Sequence, residues 1–452
     1  MRLSEVALQL EGRLVGEDVE FHGVGIDSRT DLTGKLFVAL RGERFDGHDF
    51  LSQARRAGAV AALVDRPVDA ELPRVEVDDS RLALGRLARR WRRDRFRGTL
   101  IGVTGSNGKT TVKEMIAAAL GGPDTVLKTQ GNLNNDIGVP LTLLRLTPAH
   151  RFAVVEMGAN RPGEIAYSVG LARPHVAVLT NAAPAHLEGF GSLAGVAKAK
   201  GEIVAGLPAD GVAVLNAEDR FFDDWRELAG SRRVVGFGFQ RGEVRVERHH
   251  GLVFEGGRFH NRFSVIALGE RFEVDLALAG RHNVVNALAA IAAALAAGGD
   301  PGAIAAGLAA LTPVPGRLQP LPLRGGGWLL NDCYNANPAS FEAGLKTLEA
   351  LRGEPWVILG AFGELGPETL AWHRRAGEMA RRRGVRRLLA VGEETKAAVA
   401  AFGGGGQWFA SRDALVDAAL RLCHPEVRVL VKGSRSQRLE TVVEALKEGR
   451  KG

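Results

Sequence analysis

Cysteine is almost absent from this chain of 452 residues, which contains two. Cys333 and Cys423 lie far apart and share no paired spacing, so the sequence indicates neither a disulfide framework nor a thiolate metal site. We predict that both side chains are reduced thiols.

Long hydrophobic runs are also missing. The longest apolar run, 284–297, is rich in alanine and ends at Gly298, which makes it too short and too weakly hydrophobic to span a bilayer. Charged residues interrupt every short apolar run in 1–16, so this segment has no signal-peptide core. We therefore expect a cytoplasmic protein without membrane insertion, in which 284–297 forms a buried helix.

The chain has no acidic excess, because its formal net charge is +7, and arginines are dense at 86–97. No recognisable nucleic-acid-binding motif accompanies this charge. We interpret the segment as the solvated face of a helix and expect no nucleic-acid partner. The composition is otherwise that of a soluble globular protein, and the length predicts about two to four domains.

The strongest local signal is the glycine-rich stretch 101–111, Ile-Gly-Val-Thr-Gly-Ser-Asn-Gly-Lys-Thr-Thr, which lies between a strand-like and a helix-like run. Glycines let backbone N–H groups turn toward an anion, Lys109 supplies a positive charge, and the Thr110 hydroxyl can bind magnesium. Val103 stands where the usual P-loop pattern has glycine, so the fit is to the shorter Gly-x-x-Gly-Lys-Thr form. The stretch predicts a nucleoside-triphosphate site.

Short apolar runs alternate with helical stretches from 98 to 312, which predicts a mostly parallel, doubly wound sheet. Ligands bind beyond the carboxyl ends of such strands, where Glu156, Asn181 and Asn216 stand. The predicted strands are 100–103, 152–155, 176–179 and 212–215. Alternating residues at 242–274 predict an antiparallel insert.

The flanking segments have their own patterns. Residues 1–79 contain strand-like runs at 36–40 and 60–64 and predict a small α/β unit. A helix-breaking junction at 312–317 precedes a second α/β sheet. The predicted strands of that sheet are 356–359, 388–391 and 427–431.

Three residues near the predicted strand ends are candidate metal ligands. Glu156 offers the hard oxygen that Mg²⁺ prefers, although a strand-end glutamate can also be a plain surface residue. His186 lies in the next strand-end loop, where a lone histidine is more often structural. Lys200 falls on the apolar stripe of a predicted helix, whereas Lys198 faces away. It is either a snorkelling or paired lysine, or a desolvated amine that reacts with carbon dioxide to give an acidic carbamate ligand.

Further polar residues stand at predicted strand ends and junctions. Asn283 and Asn286 are one helical turn apart and suit either an adenine edge or a loop. Arg317, at the junction, suits a phosphate that is contacted when domains close. A dense polar group needs a ligand or a tight turn, and it comprises Asp332, Tyr334, Asn335 and Asn337.

The order of these strings resembles the Mur ligase family of bacterial cell-wall enzymes nearly from end to end. The matching residues are 104–111, Glu156-Met157-Gly158, His186, Lys200, His282-Asn283, Gly316-Arg317 and Asp332. Other strings look like the branch that adds D-alanyl-D-alanine, namely 131–140, 199–203, 332–338 and 431–436. The Asp-Asn-Pro-Arg signature of the diaminopimelate-adding branch is missing from the C-terminal region.

The resemblance implies an α/β protein with three domains. Residues 1–85 would bind the UDP end of the substrate, 86–313 would form the central P-loop domain that binds ATP, and 314–452 would form a Rossmann-like domain for the incoming amine. Catalytic roles fall on Lys109, Lys200, His186 and Arg317. Mg²⁺ ligands would be Thr110, Glu156, His186 and a carbamylated Lys200.

The same resemblance implies the remaining binding residues. ATP would contact Gly105, Ser106, Asn107, Gly108, Lys109, Thr110, Thr111, Asn283, Asn286, Arg317 and Asp332. The other substrates would contact Ser28, Arg29, Asn134, Asn135, Tyr334, Asn335 and Asn337.

The activity that the resemblance implies is ATP-dependent amide formation. UDP-N-acetylmuramoyl tripeptide would be activated as an acyl phosphate and joined to D-alanyl-D-alanine by a monomeric enzyme. Sibling ligases, either the one that adds the third residue or a folylpolyglutamate synthase, remain alternatives with a different amine pocket. A P-loop kinase and a nucleotide-gated binding protein also remain, but neither needs the Glu156, His186 and Lys200 set.

Overall fold

The computed structural model describes residues 1–184, 187–363 and 365–448, which form three β-sheets in succession along the chain. The first sheet has the strand order β1-β5-β4-β3-β2, in which β1 is antiparallel to β5 and the other pairs are parallel. Its elements are α1 (Leu3–Leu10), β1 (Arg13–Val15), β2 (Val24–Gly25), β3 (Leu36–Val38), α2 (Leu51–Arg56), β4 (Ala61–Val64), β5 (Arg74–Glu76) and α3 (Ser80–Arg95).

The second sheet is the large central one, with nine strands in the order β14-β13-β12-β11-β10-β9-β6-β8-β7. Its strands are β6 (Thr99–Thr104), β7 (Val126–Lys128), β8 (Phe152–Glu156), β9 (Val176–Leu179), β10 (Val212–Asn216), β11 (Arg233–Gly238), β12 (Val244–Glu255), β13 (Arg258–Ala267) and β14 (Glu270–Leu276). Its helices are α4 (Lys109–Ala119), α5 (Gly138–Leu143), α6 (Glu164–Ala172), α7 (Leu187–Phe190), α8 (Leu193–Ala205), α9 (Phe222–Ala229), α10 (Arg281–Ala296) and α11 (Pro301–Ala309). The pairs from β7 to β12 are parallel, and β12, β13 and β14 are antiparallel, as the alternating pattern predicts.

The third sheet has the order β15-β16-β20-β17-β18-β19 and is parallel except for its edge strand β15. Its elements are β15 (Gln319–Pro322), β16 (Trp328–Asn331), α12 (Pro338–Glu349), β17 (Glu354–Gly360), α13 (Thr369–Arg382), β18 (Arg387–Val391), α14 (Lys396–Phe402), β19 (Gly406–Phe409), α15 (Arg412–Leu422), β20 (Val427–Lys432) and α16 (Glu440–Glu448). The three-part α/β architecture expected from the sequence is confirmed.

The predicted domain limits fall at different kinds of position. The limit at 85/86 lies inside α3, so this helix continues across it, whereas the limit at 313/314 lies in the coil between α11 and β15. The limits themselves stay predictions, because the sheets alone do not define them.

Local sequence explains the helix that carries Lys200. The Ser192 hydroxyl accepts a hydrogen bond from the Gly195 N–H and caps the start of α8. Val196 and Ile203 are fully buried on its apolar stripe, and Lys200 is 2% exposed among them. Lys198 is exposed, so the predicted orientation of both lysines is confirmed.

The alanine-rich segment forms the predicted buried helix α10, which packs against α4 beneath the central sheet. Within the described ranges, no helix is both long and apolar enough to cross a membrane. Cys333 and Cys423 are free, as predicted, and burial raises the pKa of each thiol to about 11.

Candidate active site

The glycine-rich stretch forms a tight loop between β6 and α4, as its sequence predicts. Gly105 and Gly108 have φ angles of 145° and 83°, where an L side chain is strained. A Cβ at Gly105 would clash with the Thr180 hydroxyl, and one at Gly108 would lie 2.5 Å from Asn286 Oδ1. Asn181 Oδ1 accepts from the Asn107 N–H at 3.0 Å, which fixes the loop against the end of β9.

Lys109 begins α4 and lies over the loop that precedes it. Its Nζ donates to the carbonyl oxygens of Gly105 at 2.6 Å and Ser106 at 3.3 Å. Burial lowers the pKa of Lys109, the carboxylate of Glu156 raises it, and the guanidinium of Arg317 lowers it again. The loop thus holds a cation where a phosphate would bind, at a helix N-terminus whose dipole also favours an anion.

Glu156 ends β8 at the same edge of the sheet and is 2% exposed. Its Oε1 accepts from Thr110 Oγ1 at 3.3 Å and from Asn134 Nδ2 at 2.9 Å. Its Oε2 is buried and has no hydrogen-bond partner among residues 1–184, 187–363 and 365–448. An orphaned carboxylate oxygen beside a hydroxyl fits a hard cation, so these residues suit Mg²⁺.

Lys200, on α8, is not among the described residues that line the cleft. Its Nζ lies 5.5 Å from the centre of the Phe190 ring. Burial and the positive charge of Lys109 lower the pKa of Lys200, Glu202 and Glu164 oppose the shift, and the resulting pKa is about 7. His186, the fourth predicted metal ligand, lies outside the described residues.

The C-terminal sheet supplies the opposite wall of the cleft. Arg317 Nη2 donates to Thr110 Oγ1 at 3.1 Å, and its guanidinium lies 4.4 Å from the centre of the Tyr334 ring. Asn337 Nδ2 donates to Asn107 Oδ1 at 2.8 Å. Hydrogen bonds therefore connect the phosphate loop to Arg317, at the end of the junction 312–317, and to Asn337 beyond it.

One end of the cleft is suited to a planar base. Asn283 donates to the Ala279 carbonyl at 2.7 Å, and Asn286 donates to Asn283 Oδ1 at 3.1 Å, so their mutual orientation is fixed. His282 beside them is partly exposed, and desolvation lowers its pKa to about 4, a shift that Asp332 opposes and Lys432 favours. The imidazole is therefore neutral at physiological pH.

The cleft has a volume of about 1040 Å³, and its described lining includes all the predicted ATP contacts except Gly105. It also collects Asn134, Asn135, Tyr334, Asn335 and Asn337. Sequence reasoning gave no role to Lys432, Ser434 or Arg435, which also line it; their only signal was the matching string 431–436.

Ser28 and Arg29 lie elsewhere, in the loop after β2, and are not among the described residues that line the cleft. Arg29 is exposed and donates to both oxygens of Asp27, at 2.9 and 2.8 Å. These hydrogen bonds lower the pKa of Asp27 to about 2. The pair offers a charged surface patch in the N-terminal unit, apart from the cleft.

Three family models of known proteins match successive segments of the chain. These are the Mur ligase family catalytic domain at 20–92, the Mur ligase middle domain at 103–294, and the Mur ligase glutamate ligase domain at 316–435. The chain is 46% identical to the UDP-N-acetylmuramoyl-tripeptide--D-alanyl-D-alanine ligase of Escherichia coli K12, over 99% of this chain and 98% of that protein.

Solved structures agree with this similarity. A crystal structure of MurF from Acinetobacter baumannii has a TM-score of 0.90 and 34% identity, over 99% of this chain and 98% of that one. MurF ligase from Thermotoga maritima in complex with ADP has a TM-score of 0.83 and 29% identity, over 95% of this chain and 97% of that one.

Proposed function

This chain belongs to the Mur ligase family, and we propose that the cleft between its central and C-terminal sheets is the active site. The protein is an ATP-dependent ligase that adds D-alanyl-D-alanine to UDP-N-acetylmuramoyl tripeptide in peptidoglycan synthesis. The observation that supports this site most strongly is the proximity of Lys109, Thr110 and Arg317, because Arg317 donates to Thr110 and its charge lowers the pKa of Lys109.

The reaction requires activation of a carboxylate, because a carboxylate oxygen is a poor leaving group. A terminal carboxylate oxygen of the tripeptide attacks the γ-phosphorus of ATP, the bond to the β-phosphate oxygen breaks, and ADP leaves. The free amine of D-alanyl-D-alanine then attacks the carbonyl carbon of this acyl phosphate. Phosphate departs with the former carboxylate oxygen, the amine loses a proton, and an amide bond remains.

The residues of the cleft have separate roles in this scheme. Lys109 and Arg317 offset the repulsion between two anions, and the fixed loop aligns them. Thr110 and Glu156 would hold one Mg²⁺, and His186 and a carbamylated Lys200 would hold a second. Bound Mg²⁺ supplies charge neutralisation for the triphosphate and the carboxylate.

We infer the remaining contacts from the similarity to the Mur ligase family. Asn283 and Asn286 face the adenine, and Asp332 faces the ribose. Asn134, Asn135, Tyr334, Asn335 and Asn337 contact the peptide substrates, while Ser28 and Arg29 hold the UDP end. The domains are 1–85, 86–313 and 314–452, and the enzyme acts as a cytoplasmic monomer.

Lys200 has the environment that carbamate formation needs. With a pKa of about 7, a substantial fraction of its amine is neutral near pH 7. The nitrogen lone pair forms a bond to the carbon of CO₂, one proton leaves, and the product is a carbamate anion. This exchange replaces a buried cation with an anionic oxygen ligand.

The test is a mass measurement of the product. Purified protein is incubated with ATP, Mg²⁺ and UDP-N-acetylmuramoyl tripeptide, with and without D-alanyl-D-alanine. We expect a new product heavier by one dipeptide residue unit, formed only with the dipeptide and with equal amounts of ADP. Phosphate release without an amide would contradict the function.

Two lysine variants test whether the reaction takes place in the cleft. Lys109→Ala is expected to lower turnover by at least about 10²-fold, because the phosphate loses its nearest fixed cation. Lys198→Ala, which removes an exposed lysine from α8, is the matched control and is expected to retain activity. Equal activity of the two variants, both folded by circular dichroism, would exclude the cleft as the site.

A further inference from the structure

Arg317 lies in an unusual backbone turn. Gly316 and Leu318, the residues on either side of it, have φ angles of 77° and 50°. A leucine is strained in this left-handed region, so the turn needs an external constraint to persist. The guanidinium depends on that constraint, because the turn sets the direction in which it leaves the backbone.

Two hydrogen bonds from the third sheet hold the turn. The Leu318 N–H donates to Asp332 Oδ1 at 3.2 Å, and the Tyr334 N–H donates to the Gly316 carbonyl at 3.2 Å. The first of these hydrogen bonds gives the N–H of the strained Leu318 an acceptor. Asp332, directly after β16, thus stabilises the turn and also lines the cleft.

Lys432, the last residue of β20, holds the side chain of Asp332 in place. Its Nζ lies 2.5 Å from Asp332 Oδ2, 3.2 Å from the Asn335 carbonyl oxygen and 3.5 Å from the Asp332 carbonyl oxygen. The residue is 1% exposed, so the ammonium requires these partners. An ammonium has three N–H donors, and all three have acceptors within the protein.

We propose that Lys432 is a positioning residue for phosphoryl transfer, holding Asp332 so that the Gly316–Leu318 turn aims Arg317 at the γ-phosphate beside Thr110. The proposal rests on the function proposed above and deepens it. A direct contact of Lys432 with a ligand is disfavoured, because its donors are already used. The network runs from β20 through β16 to the junction that connects the two sheets.

A double-mutant cycle tests the proposal. Lys432→Met is expected to lower kcat by about 10- to 100-fold and to leave ADP affinity within about threefold. Affinity for a non-hydrolysable ATP analogue falls toward that for ADP, because the γ-phosphate loses Arg317. In an Arg317→Gln background, the added loss from Lys432→Met is expected to be below about threefold.

Two outcomes would overturn the proposal. Additive losses in the cycle would mean that Lys432 acts independently of Arg317. An equal loss of ADP and analogue affinity would mean that it acts through the nucleoside side of Asp332. A wild-type enzyme that makes no dipeptide product would instead contradict the proposed function, so the two failures are distinguishable.

Controls separate positioning from folding. Lys346→Met removes an exposed lysine that pairs with Glu342 on α12, and it is expected to match wild type. Unfolding midpoints are measured for every variant. Where Lys432→Met does not fold at the assay temperature, Lys432→Gln retains a donor for Asp332 without the charge and undergoes the same cycle.

Discussion

Lys200 shows how far a sequence pattern predicts the place of a single buried group. Sequence periodicity places it on the apolar stripe of α8, and the structure buries it beside Phe190. Its orientation was predictable because a cap and a 3.6-residue period define one helix face. Its distance from the cleft lining was not predictable, because that depends on how α8 packs on the sheet.

Replacement of Lys200 tests the carbamate directly. Lys200→Ala is expected to lose about 10²-fold or more in turnover, because an acidic ligand disappears. Short carboxylates such as formate or acetate are expected to restore part of the activity by occupying the vacated volume. Turnover is measured with and without each anion, and Lys198→Ala serves as the control. A carboxylate series without any effect would contradict the carbamate.

The two thiols give a prediction with a defined pH dependence. Burial raises the pKa of Cys333 and of Cys423 to about 11, above the ordinary value of 9.0. At pH 8 the thiolate fraction is therefore about 100-fold smaller than in the unfolded chain, and it grows as the pH rises toward 11. Iodoacetamide labelling followed by mass spectrometry should be slow in the folded protein and fast in urea. Rapid labelling of folded protein at pH 8 would contradict the raised pKa of both thiols.

At the scale of elements, the hairpin of β12 and β13 joins two parts of the molecule. Phe259 is fully buried in the core of the C-terminal sheet, although it belongs to the central one. Phe254 lies 4.8 Å from both the Phe259 and the Trp328 ring centres. Sequence alternation predicts the hairpin, but it gives no indication of which distant strands its tip contacts.

Truncation of Phe259 measures this connection. Phe259→Ala should lower the free energy of unfolding by about 3–5 kcal/mol, because a fully buried ring leaves a cavity. Val253→Ala, at an exposed position of the same hairpin, should change it by less than about 0.5 kcal/mol. Urea unfolding followed by tryptophan fluorescence provides both values. Equal effects would show that the hairpin does not pack in the C-terminal core.

Parallel strands were the elements most easily predicted. The runs 152–155 and 176–179 match β8 and β9 within one residue, because buried parallel strands are continuous apolar runs.

The Gly316–Leu318 turn was harder to predict. Its left-handed leucine is maintained by a carboxylate fourteen residues away, so local sequence carries no signal for it.

At the scale of the whole molecule, the active site depends on contact between two sheets. The central sheet and its loops supply Lys109, Thr110 and Glu156. The C-terminal part of the chain supplies Arg317, Asp332 and other lining residues. The order of the sequence motifs predicted most of these cleft residues. The buried Lys432–Asp332 pair was not predicted, because the pairing of a buried cation depends on the order of β16 and β20 in space.

Asn337 tests whether the contact between sheets supports catalysis. Asn337→Asp keeps the cap of α12, which uses the side-chain oxygen, but removes the donor to Asn107. We expect kcat/KM for ATP to fall by about 3- to 10-fold with little change in the unfolding midpoint, since one interdomain hydrogen bond is lost. Asn337→Ala removes the cap as well, and its midpoint should fall. Unchanged kcat/KM in Asn337→Asp would show that this bridge is dispensable.

The central claim is that this cleft transfers phosphate from ATP to a carboxylate before the amide forms. The most direct measurement uses UDP-N-acetylmuramoyl tripeptide with both terminal carboxylate oxygens labelled with ¹⁸O, together with ATP, Mg²⁺ and D-alanyl-D-alanine. The account predicts one ¹⁸O atom in each phosphate released and one in each new amide. Unlabelled phosphate accompanying the amide product would contradict an acyl-phosphate intermediate.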